Sequence, residues 1–215
     1  MKRITVLSGH YGSGKSEIAV NLAINEKVDM LVDLDIVNPY FRSRSVRDLL
    51  ESHQVRLVES TIENASGSDL PYVSGTALKP FLDPSIRAIY DLAGTKAGAK
   101  LMMQYTEHIN PDSIDFLLVI NIYRMETSDA AKIIALIDEL EGSAQLRING
   151  LINNSNLMKE TTQEHIEEGE KVLKTVSEKT GIPIAFTFIE EHVKTNHIFA
   201  GRNRTLVRYL AKHWL

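Results

Sequence analysis

Residues 8–17 read SGHYGSGKSE and follow the apolar run ITVL at 4–7. Gly9, Gly14, Lys15 and Ser16 fit G-x-x-x-x-G-K-[ST], a glycine-rich turn whose backbone N–H groups converge on phosphate. Few local patterns restrict a chain more. The turn works only if a strand delivers it to a sheet edge and a helix starts directly after it. The stretch containing Gly9, Gly12, Ser13, Gly14, Lys15, Ser16 and Glu17 is therefore the candidate phosphate-binding segment. Lys15 is the residue expected to neutralise the β- and γ-phosphates, and the Ser16 hydroxyl the group expected to hold Mg²⁺.

Short apolar runs alternate with amphipathic, helix-length segments along the rest of the chain. Strands are expected at 3–8, 29–34, 55–59, 86–92, 114–122, 147–153 and 183–189. Several are rich in Val, Ile and Leu with little alternation, as in strands covered on both faces. Helices are expected at 15–26, 44–52, 96–109, 127–141, 161–180 and 202–213. This alternation predicts an α/β fold, a mostly parallel sheet of about seven strands with helices on both faces. No internal repeat or boundary divides residues 1–215, which read as one domain. The region 60–83, rich in Ser, Gly, Pro and Asp, reads as an irregular insert or lid with a short helix near 76–82.

Composition removes several classes of function. The chain has no cysteine, which excludes disulfides, zinc–thiolate sites, iron–sulfur clusters and cysteine nucleophiles. A net charge of −4 argues against broad nucleic-acid binding, which needs a clearly basic face. The seven histidines show no metal-ligand spacing on one helix. Four apolar residues after Met-Lys-Arg are too few for a secretory core, and no run has the length of a membrane span. The expectation is a soluble, cytoplasmic protein that does not engage membranes.

A phosphate loop needs acidic groups at the ends of neighbouring strands, where an open parallel sheet places its site. LVDLD puts Asp33 and Asp35 two residues apart, on one side of a strand. AIYDLAG ends a strand on Asp91, with Gly94 three residues on. Asp91 is expected to hold Mg²⁺ through water, Asp33 to support the metal shell, and Asp35 to orient or activate an attacking water. The Gly94 N–H is placed to sense the γ-phosphate. In GLINNSNL, Asn153 and Asn154 end a strand where an amide can pair with adenine. The guanine pattern Asn-Lys-x-Asp is absent, which favours ATP over GTP.

SGHYGSGKSEIAVNLA, LVDLDIVNP and IYDLAGTKAG together resemble the MinD/ParA-type branch of P-loop ATPases, the CobQ/CobB/MinD/ParA nucleotide-binding family. The resemblance spans residues 1 to about 125. It implies a parallel sheet of about seven strands, ATP with Mg²⁺, hydrolysis to ADP and, often, a nucleotide-controlled homodimer. By it, Lys15 and Ser16 bind phosphate and metal, Asp35 is the water-activating carboxylate and Asp91 the metal-side one. That family carries an extra lysine, which reaches the phosphates of the partner subunit, where this chain has the shorter His10; Lys96 is the candidate for a charge supplied from the same chain.

Gly9, Gly12 and Gly14 also spell G-x-x-G-x-G-K-S, the loop style of small-metabolite kinases, with Arg42, Arg44 and Arg47 as acceptor ligands. A kinase or ATP-dependent ligase is therefore the second reading, and a non-hydrolysing nucleotide-binding scaffold the third. Either a protein or a metabolite partner is compatible with these readings. The C-terminal RNRTLVRYLAKHWL reads as an amphipathic helix, with Leu206, Leu210 and Trp214 on one stripe.

Overall fold

A computed structural model of the chain describes residues 1–35, 44–59 and 75–210. Strand β1 (Ile4–Ser8) is wholly buried and leads through the glycine-rich turn into helix α1 (Lys15–Asn25). There follow β2 (Met30–Leu34), α2 (Arg44–Ser52), β3 (Arg56–Glu59), α3 (Gly75–Leu82), β4 (Ala88–Leu92) and the short α4 (Lys96–Lys100). Then come β5 (Ile114–Ile120), α5 (Ala130–Ala144), β6 (Gly150–Asn153), α6 (Gln163–Thr180), β7 (Ile184–Glu190) and β8 (Arg202–Leu206). The eight strands form one sheet in the order β3-β2-β4-β1-β5-β6-β7-β8, and every neighbouring pair is parallel.

Strands buried on both faces need helices above and below, and two apolar clusters supply that cover. On one face Ile18 and Leu22 of α1 and Val46 and Leu50 of α2 pack on Leu7, Leu31, Ile89 and Val119. On the other, Ile133, Ile137 and Leu140 of α5 and Leu173 and Val176 of α6 pack on Val6, Val32, Tyr90 and Phe116. Each fully buried aliphatic side chain contributes about 1.5–3 kcal/mol. β1 thus lies mid-sheet with β4 on one side and β5 on the other, and this order brings the ends of β1, β2 and β4 together. No helix among the described residues is long and apolar enough to cross a membrane.

The C-terminal segment differs from expectation. Residues 202–206 form a strand, not the start of a helix at 202–213. Arg202, Arg204 and Leu206 alternate onto one face, where the two guanidinium groups lie 5.7 and 5.5 Å from the Phe186 ring centre and Leu206 is buried. The backbone donors and acceptors left open on β7 select the strand. The spacing of Leu206 and Leu210, which reads as a helical stripe, instead places one residue at a strand end and the other in the turn beyond. Trp214 lies outside the described residues.

The expected helix at 96–109 is likewise divided. Its first turn is α4, and Leu101–His108 continue as a 3₁₀ helix. Met102 and Tyr105, three residues apart, are both buried, a spacing that matches three residues per turn. In the 60–83 region, Gly75–Leu82 form the short helix; an insert or lid over 60–74 lies outside the described residues.

Candidate functional site

The phosphate loop joins β1 to α1 with Gly14 at the N-cap, φ +86°, a left-handed conformation that suits glycine. No side chain caps the helix start, so the first-turn N–H groups point into the concavity of the loop. Gly94, just after β4, is pressed against this loop. A Cβ there would lie 1.7 Å from the Gly9 carbonyl oxygen, so only glycine lets the β4 turn touch the phosphate loop.

Beneath the loop, Lys15 meets the carboxylates. Its Nζ is 3.2 Å from Asp35 Oδ2 and 3.9 Å from Asp91 Oδ1, and all three side chains are buried. Asp33 stands beside Asp91 in register on the neighbouring strand, and its Oδ1 accepts the Asp35 N–H at 2.9 Å. Burial, followed by the Asp91 charge, pushes the Asp33 carboxyl up to about 8. Burial also raises Asp91; Lys15 and the Ser16 hydroxyl offset part of the rise. Burial pulls Lys15 down, but Asp91 and Asp35 outweigh it and its pKa ends above the ordinary value.

Both oxygens of Asp91 are buried and have no donor in hydrogen-bond geometry; their contact with Lys15 is the longer ion pair at 3.9 Å. A carboxylate with no close hydrogen bond, next to a serine hydroxyl at the start of α1, is an oxygen-only donor set suited to Mg²⁺. Among the described residues no three His, Asp or Glu side chains form a metal cage. The protein therefore offers a partial shell, the arrangement Mg²⁺ takes when phosphates and water complete it. Asp33 has one oxygen committed to the Asp35 N–H, so only the other is open to that shell.

No protein-family model and no curated protein matches the chain. Solved structures do. The cell division protein FtsY of Thermotoga maritima is 18% identical with a TM-score of 0.52, the match covering 86% of this chain and 61% of that one. The signal recognition particle 54 kDa protein of Aeropyrum pernix, solved with GDP, is 20% identical with a TM-score of 0.52, covering 86% and 40%. The signal recognition particle receptor FtsY of Elizabethkingia anophelis is 15% identical with a TM-score of 0.50, covering 86% and 57%. The chain has a P-loop NTPase fold. It spans about three fifths or less of each of these proteins.

Several residues flanking the P-loop have structural partners. Asn154 donates from Nδ2 to the Ser13 carbonyl at 2.7 Å and so braces the loop from β6. Asn153 is fully buried, donating to the Ile166 carbonyl and accepting from the Ser155 N–H. Asn153 thus has both ends of its amide engaged within the protein, whereas Asn154 has only its Nδ2 engaged and its Oδ1 has no partner among the described residues. Glu17, in the first turn of α1, accepts the backbone N–H groups of Tyr209 (2.6 Å) and Leu210 (3.1 Å).

Asn21 joins the same contact, exchanging hydrogen bonds with the Val207 backbone in both directions. The P-loop helix therefore holds residues 207–210, a role that sequence reasoning missed; the signal was two polar side chains one turn apart on a helix otherwise packed into the core. Of the arginines expected to bind an acceptor, Arg47 pairs with Glu59 at 2.7 Å, Arg42 lies outside the described residues, and the Arg44 side chain is not described. Lys96 is exposed and 3.6 Å from Glu139 of α5.

Proposed function

We propose that the chain is a Mg²⁺-dependent nucleoside triphosphatase acting as a nucleotide-controlled switch. The observation that carries this reading is the buried contact of Lys15 with Asp35 and Asp91 directly under a P-loop. The α1 N-terminus and the loop amides receive the phosphates, and Lys15 neutralises their charge. Ser16 and Asp91 would hold Mg²⁺, which when bound spreads the charge of the phosphate oxygens. Asp35 accepts a hydrogen bond from the attacking water and fixes its line of approach.

An incoming γ-phosphate competes with Asp35 for the Lys15 ammonium. Asp35 stands directly after β2, so phosphate occupancy acts on the carboxylates gathered at the ends of β2 and β4. The order of P-loop, Asp33/Asp35 and Asp91-Gly94 supports a place near the MinD/ParA ATPases, for which nucleotide-dependent dimerisation is the corresponding expectation. Adenine is favoured by the lack of an acid in Asn153-Asn154-Ser155-Asn156, since guanine recognition calls for a carboxylate acceptor. Guanine is the rival, favoured by the GDP in the Aeropyrum structure of similar fold.

The test is phosphate release from ATP and from GTP with Mg²⁺ and no added acceptor. Turnover with one of them, lost in Lys15→Ala and at least tenfold lower in Asp35→Ala, supports the switch. Turnover only with an added metabolite transfers the reading to a kinase, and tight binding without turnover to a scaffold.

A further inference from the structure

His10 occupies the tip of the P-loop, and the cation candidate Lys96 is already matched by Glu139. A different cation reaches the loop. Arg124, just beyond β5, donates from Nε to the Gly12 carbonyl oxygen at 2.9 Å. A Cβ on Gly12, whose φ is +76°, would sit 3.1 Å from Arg124 Nε and 3.3 Å from Cζ, so the guanidinium lies directly against that residue.

Its base is fixed. The Arg124 N–H donates to the Asn121 carbonyl, Thr127 donates from its N–H to the Arg124 carbonyl, and the Thr127 hydroxyl, buried, donates to the Asn121 carbonyl at 2.7 Å. Asn121 also ties this turn to the loop after β6, donating to the Asn156 carbonyl at 3.1 Å. Glu126, the nearest acid on the turn, faces His10 Nδ1 at 3.6 Å; no carboxylate among the described residues pairs with Arg124. An arginine that spends one N–H on a loop carbonyl keeps its full charge and four further donors.

Building on the nucleotide-site reading above, we propose that Arg124 is a positioning residue of the phosphate site. It holds the loop tip in its phosphate-receiving shape through Gly12 and places a guanidinium charge beside the bound phosphates. The two parts separate experimentally: Arg124→Gln keeps a donor without the charge, and Arg124→Lys keeps the charge without the planar N–H.

The experiment is calorimetric titration of the full chain with Mg²⁺ and the mono-, di- and non-hydrolysable triphosphates of adenosine and guanosine, in wild type, Lys15→Ala, Arg124→Ala, Arg124→Gln and Arg124→Lys. Arg124→Ala is expected to weaken triphosphate binding about tenfold, the equivalent of one charge-assisted contact. The loss should shrink for the diphosphate, vanish for the monophosphate and leave the melting temperature within about 2 °C. Gln and Lys should each recover part of it. If wild type binds, Lys15→Ala does not, and the Arg124 variants match wild type or lose equally across the phosphate series, the assignment of Arg124 is wrong and the nucleotide site stands. If wild type binds no nucleotide, both fall.

Discussion

Asp33 and Gly94 show how narrowly the site is set at the scale of single residues. The raised Asp33 carboxyl has a definite consequence for stability. Below pH 3.8, its ordinary value, the group is protonated in folded and unfolded chains alike and contributes no pH dependence. Between 3.8 and about 8 the unfolded chain has lost the proton that the folded one keeps. Stability therefore falls as pH rises through this window and levels off above it. Asp33→Asn retains an acceptor for the Asp35 N–H and removes the titration. It should stabilise the nucleotide-free protein at pH 7 by about 4 kcal/mol, or roughly 8–16 °C in melting temperature, and change little at pH 4. Thermal unfolding at the two pH values checks this; an equal shift at both would contradict the shifted carboxyl. Gly94→Ala should cost about 3 kcal/mol through the clash with Gly9, measured as a lower denaturant midpoint.

At the scale of elements, what could be read from the sequence was what is local. The strand–turn–helix of β1 and α1 is written in the consecutive residues 4–17, and β2, β4 and β5 in apolar runs too short for helices. β8 was not legible. RNRTL contains the alternation of a strand, but the flanking leucines offer a helical spacing as well, and the open edge of β7 decides between them. The contacts that brace the P-loop were equally hidden. Arg124 lies 112 residues from Gly12, and Asn154 lies 141 from Ser13, so only the parallel order of β1, β5 and β6 brings them together. Asp33, Asp35 and Asp91 were legible because strand ends in such a sheet converge by topology alone. Two measurements belong to this scale. Alternate amides of 202–206 should exchange slowly with solvent, as an edge strand requires and a frayed helix does not. Glu17→Ala should leave the Tyr209 and Leu210 N–H groups without their acceptor, costing about 2–4 kcal/mol and speeding exchange at those two amides.

For the whole molecule, the parallel sheet concentrates one lysine and three aspartates beneath the glycine-rich loop between β1 and α1. The fold explains why these charges are close. The phosphate-binding reading explains why a protein would tolerate so much buried charge, which is costly unless a ligand or metal uses it. Titration of the chain with non-hydrolysable ATP and GTP analogues, with and without Mg²⁺, puts that reading to proof. One nucleotide per chain is expected, bound more tightly with Mg²⁺ and lost in Lys15→Ala. Failure of both analogues to bind, or binding that Lys15→Ala leaves intact, would contradict it.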